Sequence, residues 1–380
     1  MLKAITTYKH RVFGLDVVRA VAILLILCSH STILLFPNSE ATGLKFIQFF
    51  GTIGVDIFFV LSGFLIGTIL IKHLENNQTQ PKHFVQFWVR RWLRTLPNYY
   101  LILLVNIALA FLYKSKIPNQ LYQYFFFLQN FFEGMPDFFT ESWSLTIEEF
   151  AYLIGPMLLM FFAFIFKKIN KWLFLLMILL VIGYFIINKL IFHFSYTNIP
   201  ENFNWSHSLR KTVFTRVDSI YYGFLGAFFS YYYSVFWTKI KWLSFGLGGL
   251  LFLGLHFYIY KNQLQPNQFS FFFNVWYLPL VSISILLLFP VFSTWKTKGL
   301  NFITKISLWS YSLYLVNYSI VLLSIQYFLD VSRLSSFVKL LILVLFWVLS
   351  FLLSYVLYTF FEKPILNYRE NLFRKRYRDT

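Results

Sequence analysis

The sequence predicts an all-α integral membrane protein, with about ten transmembrane helices gathered in one bundle. Three observations lead there. Hydrophobic residues make up 58% of the 380 and charged residues only 13%, against about 25% charged in a soluble globular chain. Apolar runs of about 20 residues, enough to span a bilayer, recur from one end of the chain to the other. The basic residues concentrate in alternate connections, as they do in a chain that crosses a membrane repeatedly.

Apolar runs and their breaks place the helices at 12–36, 46–71, 97–113, 143–166, 172–192, 217–236, 242–260, 271–293, 307–329 and 336–361. With the N-terminus in the cytoplasm, the inner segments hold 22 Lys and Arg. The outer side, helix ends included, holds 10, and Arg19 lies within the first helix. An even number of spans then returns the C-terminus to the cytoplasm. The net charge of +18 is therefore topological, and nucleic acid is not expected as a partner. A short N-terminus (1–11) and a basic tail (363–380) flank the bundle, the tail near anionic headgroups of membrane lipid.

The whole chain, 1–380, reads as one transmembrane domain. Its longest connections (72–96, 114–142 and 193–216) are too short for a soluble catalytic domain, so any chemistry is expected among the helices. No cleavable signal peptide is expected, because the first apolar run is too long for one. Cys28 is the single cysteine, which excludes an intrachain disulfide and a multi-cysteine metal site. A packing role is expected for it, and no metal.

The first helix carries residues that hydrocarbon does not favour. Asp16, Arg19 and His30 interrupt "LDVVRAVAILLILCSHSTILLF", and an Asp or Arg at the centre of an inserted helix costs about 2.5 to 3.5 kcal/mol. At 100° per residue, eleven steps return His30 to within about 20° of Arg19, about 16 Å along the axis. The two therefore share a face, while Asp16, three residues before Arg19, is placed to pair with it. A histidine is the side chain best suited to act as a general base near neutral pH, and it also serves simply to pack helices together.

Several separated segments resemble one family. "LDVVRAVAILLILCSH", with an arginine, ten residues and then a histidine, is similar to the opening helix of the membrane-bound acyltransferase 3 family. "GVDIFFVLSGFLIG" resembles its second helix, "FWVRRWLRTLPNYY" its basic segment before the third, and "SWSLTIEEFAYLIGP" its fourth-helix signature. "TRVDSIYYGFLGAFFS", "YSLYLVN" and "FFEKPI" match weaker motifs, so the resemblance runs from about residue 12 to 366. It implies an O-acyltransferase that moves an acyl group, acetyl in the first instance, from acyl-CoA to a hydroxyl of a cell-envelope saccharide. Lipopolysaccharide, capsule, exopolysaccharide and peptidoglycan are the acceptors it implies. Acyl-CoA is then a co-substrate, with no permanently bound cofactor, and the location is the bacterial inner membrane.

Within that resemblance His30 is the expected base, and Arg19 holds a polar part of the donor or its acyl carbonyl. Arg90, Arg91 and Arg94 lie on the cytoplasmic flank of the third helix and share a face if that helix extends back past Pro97. Guanidinium groups bind phosphate in bidentate fashion, so these three are expected to hold the phosphates of CoA; a positive-inside anchor is the plainer alternative. Glu148 and Glu149, following Trp143 and Ser144, are expected at a depth comparable with His30, where an acid orients the histidine or meets acceptor hydroxyls. Glu148 is the better candidate of the two, while an N-cap at Ser142 or Ser144 with early acids is the structural alternative.

Asp56 reads equally as an interfacial residue or an acceptor contact. Ser62, with Gly54, Gly63 and Gly67, reads chiefly as a site of close helix approach. Arg216 and Asp218 suggest a local ion pair, and Glu362 to Pro364 a structural end to the last span. Asn317 stands where a histidine often ends the "YSLYLV" motif. Another function class, a polytopic transporter or flippase of a saccharide or lipid-linked intermediate, also accommodates intramembrane Arg19 and His30. The lack of a strong internal repeat and the arginine cluster count against it. Small molecules and lipids remain open as acceptors.

Overall fold

In the computed structural model, which describes residues 11–37, 39, 41–132, 134–166, 169–195, 204–296 and 301–376, a bundle of helices matches the sequence map. They are α1 (Phe13–Leu35), α2 (Thr42–Glu75), α3 (Pro81–Leu112), α4 (Ser142–Phe166) and α5 (Lys171–Ser195), then α6 (Asp218–Tyr232). α7 (Lys241–Lys261), α8 (Phe272–Thr294) and α9 (Asn301–Phe328) follow, with α10 (Ser336–Leu357) and a final α11 (Lys363–Arg376). No strand occurs among the described residues. Nine of the described helices are long and apolar enough to cross a membrane.

α10 and the start of α11 count as one of these, Ser336–Phe373, and the exception is α6. Its 15 residues rise about 22 Å, less than the roughly 30 Å hydrocarbon core. The helix lies inside the bundle against α2, α5 and α8, so it has little lipid thickness to match. Small residues make that position possible. A Cβ on Gly63 would run into the Ile220 carbonyl, and one on Gly223 into the Val60 carbonyl. The two backbones touch there, as small residues permit between membrane helices. Gly54 likewise lets α2 approach the Ala22 carbonyl of α1. The expectation of close approach thus holds for the glycines of the α2 motif.

α3 begins sixteen residues before the predicted 97 and runs unbroken through Pro97. The three arginines before the proline therefore sit on a helix. Arg216 and Asp218 do not form the local pair expected of them. Arg216, fully buried, pairs with Asp56 of α2, and Asp218 accepts from Lys189 of α5 at 2.5 Å. Side chains two residues apart on a helix point to opposite sides, so each finds its partner on another helix. Asp56, expected as an interfacial residue or an acceptor contact, is buried and paired with Arg216.

The connection before α6 is more than a loop. A π-helical turn (Ser206–Arg210) and a helical turn (Val213–Arg216) fold against the 114–142 connection. Val213 and Phe214 donate backbone hydrogen bonds to the Asn130 and Phe131 carbonyls, at 3.0 and 3.2 Å. The Asn130 amide donates to the Lys211 carbonyl at 2.6 Å and to the Trp143 carbonyl at 3.0 Å. The two connections and the start of α4 form one hydrogen-bonded unit at the His30 end of α1.

Candidate active site

Arg19 and His30 share one face of α1, as their spacing requires, and each lines a different cavity. The first is lined by Arg19, Ser62, Arg91, Arg94, Glu148 and Tyr311 among others. The second is lined by His30, Glu141, Trp143, Arg210, Lys211 and Tyr318 among others. Val55 of α2 and Tyr314 of α9 belong to both walls. The Tyr314 hydroxyl is fixed there, donating to the Glu141 carbonyl at 2.9 Å and lying 2.7 Å from Ser144 Oγ.

The arginine cavity is cationic, with one carboxylate. Arg91 and Arg94, three residues apart, both face it. Arg90 does not: it is exposed, its guanidinium 4.4 Å from the Phe373 ring of α11. One step of 100° carries it off the face that Arg91 and Arg94 share, so the expected trio is a pair. Arg94 has no hydrogen-bond or ion-pair partner among the described residues. Arg91 is committed, donating to the Tyr152 hydroxyl at 2.6 Å and lying 3.5 Å from Glu148.

Glu148 is the hub of that cluster and is not near the histidine. It accepts from the Ser62 hydroxyl and from Tyr152 at 2.5 Å. Trp143 of α4 lines the His30 cavity, and five further residues carry Glu148 about 7.5 Å along the helix into the wall of the arginine cavity. Glu149 points away, accepting from Thr95 at 2.9 Å and lining a separate aromatic hollow. Ser62, read as a residue for helix approach, is a cavity-lining hydrogen-bond donor, and Ser144 lines the cavity beside it. Asp16 is held mainly by Arg11 and by Ser307, which donates to it at 2.8 Å. Arg19 lies 3.4 Å from Asp16 and 3.1 Å from Ser307 Oγ. The expected Asp16–Arg19 pair is therefore the weaker contact of a larger network. Glu362, read as an end signal, is buried and accepts from Ser312 at 2.6 Å and Asn98 at 3.0 Å.

The histidine is oriented by Asn317. The side-chain nitrogen of Asn317 donates to the Leu313 and Tyr314 carbonyls, at 2.6 and 2.9 Å. Its Oδ1 is thereby turned to His30 Nδ1, with which it is hydrogen-bonded. A carbonyl oxygen only accepts, so Nδ1 carries the proton and Nε2 is the basic nitrogen. This tautomer follows from the hydrogen-bond network. A π-helical segment, Asn317–Leu322, begins at the asparagine, and such widened turns recur at functional sites. The Tyr318 ring, 4.9 Å from the imidazole, backs the histidine.

Three residues of the His30 cavity carried no signal in the sequence beyond their type. Glu141 precedes α4 by one residue and is 4% exposed. One of its oxygens is hydrogen-bonded to Ser319, and the other, Oε2, is buried without a partner. Burial pushes its carboxyl up to about 7, against the pull of the Ser319 hydrogen bonds. Arg210 and Lys211 arrive on the connection before α6. Burial, and then the neighbouring Arg210, lowers the Lys211 ammonium to about 8. Arg210 stacks over Trp143, 4.9 Å from the ring centre, and its Nε donates to Ser206 at 2.8 Å.

A family model described as an acyltransferase domain matches residues 12–359. A peptidoglycan O-acetyltransferase of Listeria monocytogenes is 34% identical over 177 residues, 42% of this chain and 26% of that protein. A putative peptidoglycan O-acetyltransferase of Bacillus subtilis is 33% identical over 178 residues, 43% of this chain and 26% of that protein. A putative O-acetyltransferase of Staphylococcus aureus is 27% identical over 362 residues, 86% of this chain and 54% of that protein. The chain thus spans between about a quarter and about half the length of these curated relatives. No solved structure matches the chain.

Proposed function

The chain belongs to the acyltransferase 3 family, and from that premise we propose that it is the acyl-CoA-dependent part of a membrane O-acetyltransferase acting on a cell-envelope saccharide. The observation that carries this reading is the pair of cavities on one face of α1. One is rich in arginine, the other holds an oriented histidine, and they adjoin at Val55 and Tyr314. The acetyl group is the donor's acyl chain because the relatives' names specify acetyl transfer. Peptidoglycan, which the names of the Listeria and Bacillus relatives print, is the acceptor we favour among the envelope saccharides. The membrane is the bacterial cytoplasmic membrane with both termini inside, as the distribution of Lys and Arg supports.

In this reading Arg94 and Arg19 take the phosphates and the polar stem of acyl-CoA, which enters from the cytoplasmic side. The thioester reaches the waist at Val55 and Tyr314. An acceptor hydroxyl in the other cavity gives its proton to His30 Nε2 and attacks the thioester carbonyl carbon. The tetrahedral oxyanion collapses, the C–S bond breaks, and the CoA thiolate leaves as the thiol with the acceptor's proton from Nε2. Asn317 keeps Nδ1 protonated throughout, so the imidazolium formed midway remains hydrogen-bonded on that side.

Radiolabelled acetyl transfer in membranes, run beside binding of a CoA analogue, tests the reading. His30→Ala is expected to lower transfer by about a hundred- to ten-thousandfold while analogue binding persists. Transfer by His30→Ala at near wild-type rate would refute the mechanism.

A further inference from the structure

The His30 cavity contains more positive charge than the reaction above requires. A neutral sugar hydroxyl needs a base and a few hydrogen-bond partners, and His30 with Glu141 already supplies both. Yet Arg210 and Lys211 also line this cavity. Arg210 is nine-tenths buried. Its Nε is satisfied by Ser206 and its plane rests on Trp143, so its terminal nitrogens have no partner among the described residues. The Lys211 ammonium has none either. Asp56 is within electrostatic reach of Arg210, but Arg216 already holds that carboxylate. Glu141 contributes at most one negative charge, and its Oε1 is engaged by Ser319. Asp137 is within electrostatic reach of Lys211 but is exposed and outside the lining, so in the cavity wall itself two cations without a hydrogen-bond partner face one half-committed carboxylate.

Burying unpaired charge is costly, and positive-inside topology does not explain these two, since they fall on the side where basic residues are scarce. They are also held in place: the Lys211 carbonyl accepts from Asn130, so the backbone presents both side chains together. Resting on the reading of this cavity as the acceptor site, we propose that the acceptor carries an oxyanion, a carboxylate or a phosphate, beside the hydroxyl that is acylated. Arg210 and Lys211 bind the oxyanion and so fix which hydroxyl faces His30 Nε2. Neutral saccharides then lack the contact that sets the register.

The test measures how added probes inhibit radiolabelled acetyl transfer into envelope material of membranes containing the full chain. The probes are methyl glucoside, methyl glucuronide and glucose 1-phosphate, which are neutral, carboxylate-bearing and phosphate-bearing. One charged probe is expected to inhibit at about a tenfold lower concentration than methyl glucoside, the return from one charge-assisted contact. Whichever of the two does so identifies the oxyanion. In Arg210→Gln/Lys211→Gln that preference should disappear while CoA-analogue binding is unchanged, and Arg210→Lys, which keeps the charge, should retain it. Equal inhibition by charged and neutral probes in the wild type, or a preference that survives in the double variant, would overturn the proposal. Neither result bears on whether His30 is the base, which the His30→Ala experiment decides separately.

Discussion

Asn317 provides the sharpest test of how the site is built, because it touches the histidine and no substrate cavity. Asn317→Ala removes the acceptor for His30 Nδ1–H and the donor to the Leu313 and Tyr314 carbonyls. The imidazole is then free to rotate and to place its proton on Nε2, where it cannot act as a base. Leaving one buried polar group without its partner costs about 1 to 3 kcal/mol. If that cost falls wholly on the orientation needed for proton transfer, the rate drops about 5- to 150-fold, within the range for partners that orient a catalytic histidine. The assay is initial-rate acetyl transfer across a range of acetyl-CoA concentrations. The turnover number is expected to fall by this factor with the CoA-analogue affinity unchanged. Asn317→His, which restores a nitrogen lone pair to Nδ1–H, is expected to recover part of the rate. Wild-type turnover in Asn317→Ala would show that the hydrogen bond does not orient a base. A loss of analogue affinity in step with the rate would show that the substitution acts through the bundle and not through His30.

Two further outcomes follow from particular contacts. Arg94→Ala should weaken CoA-analogue binding about ten- to a hundredfold, the loss of a charge-assisted phosphate contact of about 1.5 to 3 kcal/mol. Arg90→Ala, whose side chain lies on Phe373, should leave binding unchanged; unchanged binding in Arg94→Ala as well would return the cluster to a topology anchor. Asp56→Ala strands the fully buried Arg216 and should cost about 3 to 5 kcal/mol of stability. Asp56→Ala/Arg216→Met should recover most of it, read as the thermal unfolding midpoint in detergent, and a double variant less stable than the single one would contradict the pairing.

The sequence by itself determined the membrane class, the positions of the helices apart from the start of α3, and the shared face of Arg19 and His30. These depend on apolar run length and on the helical repeat, both properties of consecutive residues. It also marked which glycines let helices touch, since a missing side chain acts wherever the neighbour lies. What it could not determine was every contact between side chains far apart in the chain. Local spacing joins Arg216 to Asp218 two residues away, yet it pairs with Asp56, 160 residues away. Depth along α4 suggests Glu148 for His30, yet it serves the arginine cavity with Ser62 and Tyr152. Asn317 is legible only as an unusual residue, because its role depends on α9 lying against α1 with a π turn at that level. Arg210 and Lys211 belong to a connection that looks plain until Asn130 ties it over the cavity. A buried polar group must find a partner wherever the fold puts one, and in a bundle that partner is on another helix, chosen by packing that no local pattern encodes.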